Sequence, residues 1–481
     1  MERFVLGLDV GTTSVSVVPV TEAGRVLTGR SREHRAGIPA ENPWESLQDP
    51  GKLLDAAREL LQETLDELGS PAAIGVCSQM HGPVYMNGRG EAVSPVYTWL
   101  DGRGNLPVPG RPGESREGGP VSYAAYLSEI TGTALSSGFA VVTHHVLQAH
   151  DAVPPEAEAI GTAGDFVAAA LAGRSRPLMD ASQAHSFGAY DVSRDGWNLE
   201  AVRQAGLSPA LLPDLVPAGT VLGNWSGTPG TPVTSCLGDN QASFLGAARE
   251  FMSDGVLSLG TSGQISVHLG DSESPHPAID IRPFPAGGYL AVGASLTGGK
   301  AYQTLRDFLD DVCVRLAGAR PEGVDYSRLN DLAQELMESL RAENRSVLQD
   351  PRLPRVDTRF LGARSEPEAR ASISNLSPWN FTVGNLALGV LSGMIEELYG
   401  MFELLPEAVR TGTRRVCLTG NALRRNPVLQ ELAGLHFRLP TYIPGYTEEA
   451  AVGAALIAGV GTGVWPGYEE ACRAVASGET P

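Results

Sequence analysis

Short apolar runs alternate with longer segments whose apolar residues recur at helical spacing, and this alternation governs the first half of the chain. Phe4 to Leu8 and Val15 to Val20 read as strands, a helix follows from about Pro50 to Leu68, and Ala72 to Cys77 reads as a buried strand. Strand and helix in turn predict an α/β domain with a mostly parallel sheet. Helical patterns return near Ser122 to Ile130, Val141 to His150 and Gly161 to Leu171. Residues 104 to 120, rich in Gly, Pro and Arg, read as a surface loop, and Val221 to Pro232 as a turn-dense bridge. Asp239 to Ala248 looks like the last helix of this half.

The second half repeats the theme. A strand is expected at Tyr289 to Gly293, helices from Tyr302 to about Leu316 and from Leu329 to Asn344, the latter polar and exposed. Val383 to Leu405 places Leu386, Val390, Met394, Leu398, Met401 and Leu405 on one buried helical face, and Glu448 to Val460 is a small-residue helix suited to close packing. A boundary near residue 247 gives two domains, 1–247 and 248–481, each large enough for its own core.

Two hairpins turn this pattern towards chemistry. Leu6 to Val17 is strand, Gly-Thr turn, strand, with Asp9 at the end of the first strand. Gly11 lets backbone N–H groups approach an anion, Thr12, Thr13 and Ser14 add hydroxyl donors, and Asp9 can hold a hydrated Mg²⁺. Alone this is equally an ordinary structural hairpin. Gly255 to Val267, however, repeats the device around Gly260, Thr261, Ser262 and Gly263, half a chain later. The repetition suggests two similar domains facing each other across a nucleotide triphosphate.

Composition narrows the partners. Hydrophobic residues at 42% and charged ones at 19% describe an ordinary globular protein, and a net charge of −19 offers no basic stripe for nucleic acid or for anionic membranes. Lysine occurs only at Lys52 and Lys300, among plentiful arginine, which reads as coding bias. Five scattered cysteines, Cys77, Cys236, Cys313, Cys417 and Cys472, favour neither disulfides nor zinc. With no leader and no membrane-length apolar run visible, a cytoplasmic enzyme, monomer or homodimer, is expected.

Gly238-Asp239-Asn240-Gln241 follows the apolar stretch Val233 to Leu237, so Asp239 falls where a strand opens into a helix. It is either an N-cap or a general base that takes the proton of an attacking hydroxyl. Leu418 to Asn426 ends the strand Val416 to Thr419 in a glycine turn opening another helix, a shape that offers amides and a small-residue surface to a nucleotide.

In order and spacing these segments resemble the FGGY carbohydrate kinases, along essentially the whole chain. The resemblance implies two actin-like (ribonuclease H-like) α/β domains of the sugar kinase, heat-shock chaperone and actin superfamily, with an interdomain catalytic cleft. Asp9 to Ser14 is similar to the first phosphate motif, Gly260 to Gly263 to the second, and Gly420 to Asn426 to the adenosine motif; Phe360 to Arg364 and Glu448 to Ala455 look like two further signatures. It implies that Asp239 is the general base, that Asp9 and Asp239 face Mg²⁺, and that Gly11, Thr12, Thr13, Ser14, Gly260, Thr261, Gly420, Asn421 and Asn426 bind ATP. The first domain would hold the sugar and the second the nucleotide.

Ser78-Gln79-Met80-His81-Gly82 is similar to the sugar-contacting segment of ketose-type kinases, and Trp99-Leu100-Asp101-Gly102-Arg103 to the loop after it. Gln79, His81, Asp101 and Arg103 have the hydrogen-bonding groups a polyol needs, Trp99 an apolar face for its C–H groups, and Met80 and Asn240 complete the implied substrate set. His81 is equally a satisfied loop histidine; His144 and His145 read as structural. Ile160 to Val167, Arg176 to Met179 and Ala184 to Tyr190 look most like the branch acting on sedoheptulose. The sequence departs from the family at Leu100, where a glutamine is usual, at the reduced glycine cluster Gly420-Asn421-Ala422, and at Ala363 in place of a glutamate. The resemblance implies ATP-dependent phosphorylation of a ketose at its terminal hydroxyl, sedoheptulose to its 7-phosphate. Xylulose, ribulose or glycerol as substrate, a chaperone- or filament-like ATPase, and an inactive sugar sensor are the alternatives. Gly298-Gly299-Lys300-Ala301 lacks the upstream glycine spacing and the Ser or Thr of a P-loop.

Overall fold

The two opening apolar runs pair as an antiparallel hairpin, Phe4–Val10 with Ser14–Thr21, in a register that sets Leu8 opposite Val17 and Asp9 opposite Ser16. The structure is a computed structural model describing residues 2–478 except 111–119, 229, 272–275, 318–324, 364–365 and 367. By contact the chain divides into two units: Met1–Arg249 with Arg282–Gly287 and Glu448–Pro481, and Glu250–Ile281 with Gly288–Thr447.

The first unit is built on a six-stranded sheet in the order Val221–Asn224, Pro232–Gly238, Ile74–Ser78, Phe4–Val10, Ser14–Thr21 and Arg30–Glu33. Its three central strands run parallel, with Val10 and Gly238 both in register with Ser78. Their carboxyl ends therefore share one edge, where open α/β sheets bind ligands. The helix Pro50–Leu68 starts on Asp49, whose carboxylate accepts from the Gly51 and Lys52 amides, and buries Leu53, Leu60 and Leu61 against the sheet.

The helix Glu449–Gly461 belongs to this unit, although the expected boundary assigned it to the second domain. Its small residues explain the placement. A Cβ on Gly7 would lie 1.7 Å from the Ala451 carbonyl oxygen, and one on Gly453 would lie 1.9 Å from that of Ala242, so the helix backbone rests directly on the central strand and on the helix Asp239–Ala247.

The second unit carries its own sheet, ordered Tyr289–Ser295, Gly263–Gly270, Asp254–Leu259, Arg415–Thr419 and Thr441–Tyr442, with Asp280 and Ile281 opening an edge strand beside Tyr289–Ser295. The hairpin Asp254–Leu259 with Gly263–Gly270 repeats the opening one, and Asp254–Leu259 runs parallel to Arg415–Thr419. The helix Val383–Glu403 buries Leu386, Val390, Met394 and Leu398 as its spacing requires.

Three expectations need correction. Val221 to Pro232 is not all turn, since Val221–Asn224 pairs antiparallel with Pro232–Gly238 as an edge strand. The helix expected over Leu329 to Asn344 runs Tyr326–Ala342 and is not wholly exposed: Leu329, Ala333, Met337 and Leu340 form a narrow buried stripe. Gly161 and Thr162 end a strand, Ala159–Thr162, before the helix Ala163–Leu171 begins. Of the loop expected over 104 to 120, residues 111–119 lie outside the described residues, as does Arg364 of the Phe360 signature.

Candidate functional site

At the carboxyl edge of the first sheet stand two carboxylates. Asp9 is the penultimate residue of its strand, in register with Cys77 of the parallel neighbour, and the Cys77 thiol donates to Asp9 Oδ1 at 3.4 Å. Burial pushes the Asp9 carboxyl up to about 7, the negative charges of Asp239 and Glu448 act in the same direction, and the thiol pulls against them. Asp239 opens the helix Asp239–Ala247 directly after the strand Pro232–Gly238. The N-cap there is Gly238, with no side-chain cap bond. Burial raises it to about 6, opposed by the Arg282 charge and the Asn240 backbone. The adjacent Asn240 Oδ1 is buried without a hydrogen-bond partner.

Two neighbouring carboxylates with raised pKa values form a pair that a divalent cation would relieve. Among the described residues no group of three or more His, Cys, Asp or Glu side chains could hold a metal alone. The donor set suits a cation kept mostly by water and phosphate through one or two carboxylates, the habit of Mg²⁺.

The hairpin turn beside Asp9 is drawn tight by the Gly11 amide donating to the Ser14 carbonyl at 3.0 Å. Gln48 Nε2 and the His34 ring hold the Thr12 carbonyl, while Thr13 faces outward. Thr12 Oγ1 joins two expected substrate residues: it accepts from Trp99 Nε1 at 3.0 Å and donates to Gln79 Oε1 at 3.4 Å. Trp99 is 47% exposed, whereas Gln79 is buried and donates to Gln48. Met80 is buried against Gly238. His81 takes a left-handed φ of 77°, stacks on Phe139 and pairs its Nδ1 with the Ser186 carbonyl. Asp101 and Arg103 form a buried ion pair at 2.6 Å, with the guanidinium over Tyr97 and Trp44. That arrangement makes the Asp101–Arg103 pair a brace for the Trp99 loop. His144 is occupied by the Tyr85 hydroxyl and the Gly206 carbonyl, as a structural histidine would be.

In the second unit a cavity of about 660 Å³, within the roughly 300–1,000 Å³ usual for small-molecule sites, gathers Gly260, Thr261, Asn421 and Asn426. The Gly260 amide donates to the Ser262 carbonyl at 3.0 Å, closing this turn one residue shorter than the Gly11-to-Ser14 bond closes the first. Gly420 is no lining residue; its φ of 81° turns the chain, and a Cβ there would lie 2.4 Å from the Leu259 carbonyl oxygen. Asn426 caps the helix Pro427–Phe437 through its oxygen and donates through Nδ2 to Asn330.

The comparisons with known proteins join these two halves. Residues 4–246 match the N-terminal domain of the FGGY family of carbohydrate kinases, and residues 255–462 match its C-terminal domain. The chain belongs to the FGGY family of carbohydrate kinases. It is therefore a phosphotransferase with an alcohol group as acceptor. It is 31% identical to a sedoheptulokinase of Homo sapiens, over 94% of this chain and 96% of that one. Among solved structures, a xylulose kinase from Rhodospirillum rubrum matches with a TM-score of 0.80 at 22% identity, over 98% of this chain and 92% of that chain. Plasmodium falciparum glycerol kinase with ADP matches with a TM-score of 0.77 at 16% identity, over 98% and 92%.

Sequence reasoning missed several residues of this FGGY kinase. The Arg282 charge acts on Asp239 from a short segment that groups with the first unit despite lying beyond the expected boundary. Tyr302, Gln303, Tyr326 and Asn330 line the cavity of the second unit, with Tyr302 and Tyr326 stacked at 5.6 Å. The sequence signal for them is the pair Gly298-Gly299 opening a helix just after a strand, a pattern outside the P-loop spacing.

Proposed function

We propose that this kinase transfers the γ-phosphate of ATP to the terminal hydroxyl of a ketose, and that the ketose is sedoheptulose. The observation that carries the reaction is Asp239, raised towards neutrality by burial where a parallel strand opens into a helix. Such a carboxylate accepts the proton of the attacking hydroxyl near neutral pH. Asp9 and Asp239 would hold Mg²⁺, which when bound neutralises charge on the transferring phosphate. Thr12, Thr13 and Ser14 would give the first unit hydroxyl and amide donors and Thr261 would give them to the second, while Gly11 and Gly260, whose own amides close their turns on Ser14 and Ser262, would let the backbone approach the phosphates. Gly420, Asn421 and Asn426 would shape the adenosine end.

The seven-carbon reading is supported by the sedoheptulokinase relative, similar over nearly the full length of both chains. Trp99 would pack its exposed face on the sugar carbons, with Gln79, His81 and Asn240 offering polar groups and Met80, Asp101 and Arg103 shaping the loop. The test is kcat/KM for ATP-dependent phosphorylation of sedoheptulose, xylulose, ribulose and glycerol with Mg²⁺. A clear preference for sedoheptulose upholds the proposal, a preference for another sugar replaces the substrate and keeps the mechanism, and no turnover refutes both.

A further inference from the structure

Lys300 is one of two lysines in a chain of net charge −19, and it stands in the first turn of the helix Gly298–Ala317. That turn is bonded to the second Gly-Thr turn: the Gly299 amide donates to the Gly260 carbonyl at 2.9 Å, and the Lys300 amide to the Thr261 carbonyl at 3.1 Å. Both residues line the same cavity as Gly260 and Thr261. The Lys300 ammonium donates to one neutral acceptor, Gln303 Oε1, at 3.2 Å, and no carboxylate among the described residues pairs with it. An ammonium has three donors, so two remain for a ligand. Most other described cations are treated differently: Arg103, Arg345, Arg359 and Arg415, for example, are all ion-paired.

We propose that Lys300 clamps the terminal phosphates of the bound nucleotide, adding a side-chain cation to a turn that otherwise offers amides and the hydroxyls of Thr261 and Ser262. This rests on the reading of the cavity as the nucleotide site. The failure of a P-loop spacing around Lys300 does not bear on it, because the lysine is placed by the helix turn bonded to Gly260 and Thr261 rather than by a loop of its own. In so acidic a chain a local cation offsets the repulsion that a polyphosphate meets on entry. Its place against Thr261, rather than against Asn421 and Asn426, assigns it to the β- and γ-phosphates and not to the nucleoside.

The test is equilibrium titration of adenosine, AMP, ADP and ATP into purified wild type, Lys300→Met and Lys300→Arg, with thermal melts to confirm folding. Lys300→Met is expected to weaken ADP and ATP by about 10- to 100-fold, the range for a charge-assisted hydrogen bond. Adenosine and AMP should bind as before, and Lys300→Arg should recover most of the loss. A weaker salt dependence of ADP binding in Lys300→Met would agree. Equal loss for adenosine and ADP would make the residue a packing element, and unchanged ADP binding would remove the contact; either overturns the proposal. Wild type that binds none of the four ligands would instead refute the nucleotide reading itself, and the clamp with it.

Discussion

Gly7 lies under Ala451 so closely that a Cβ would come within 1.7 Å of the Ala451 carbonyl oxygen. The strand that delivers Asp9 is thereby locked to the helix Glu449–Gly461, whose N-cap is Glu448, one of the charges acting on Asp9. The two elements are far apart in sequence, and only bare backbone allows the contact.

Gly7→Ala is expected to destabilise the protein by about 3 kcal/mol or more, since backbone rather than a flexible side chain must move. Gly434→Ala should do the opposite. Gly434 sits inside the helix Pro427–Phe437 with open space at its Cβ, and alanine should add about 0.5–1 kcal/mol by helix propensity. Urea unfolding of both variants checks the sign.

Asp239→Asn should lower kcat by roughly 10²–10⁴-fold, the span of a positioned general base, while sugar binding persists. The amide keeps the shape and loses the proton acceptor. Retained turnover in a coupled assay would end the assigned role.

Trp99→Phe removes the indole N–H that reaches Thr12 Oγ1 and keeps an aromatic face. An increase in sugar KM of about fivefold is expected from one lost hydrogen bond, with a larger rise for Trp99→Ala. If both variants match wild type across the sugar panel, the loop does not contact substrate.

Asp165 is buried, with its pKa raised to about 7 by burial, partly opposed by Thr162 and reinforced by Asp180. Because the folded value lies above the unfolded one, its stabilising share is complete below about 4 and is lost as pH rises through about 7. Asp165→Asn imitates the protonated form. Its melting temperature should equal that of wild type near pH 4 and exceed it near pH 8, where the stability margin should be on the order of 4 kcal/mol. A constant difference across pH would show that the residue is ionised throughout.

The sequence alone determined most of the strands and helices that frame the two sheets, both Gly-Thr hairpins, the strand-end carboxylates Asp9 and Asp239, and with them the family. These are local signals: period-two and period-3.6 apolar patterns, glycine turns, and a carboxylate at a strand end. It also identified the small-residue helix Glu448 to Val460 as built for close packing. What it could not determine was where that helix packs, because composition records that a surface is smooth and not which backbone will meet it. Tertiary structure decided that Gly7 and Ala242 are its partners, and so moved Glu448–Pro481 into the first unit. It decided in the same way that Asp101 and Arg103 brace each other, that Arg282 answers Asp239, and that Lys300 stands beside Thr261. Each of these depends on residues remote in sequence or on a side chain's direction, which a one-dimensional pattern does not encode.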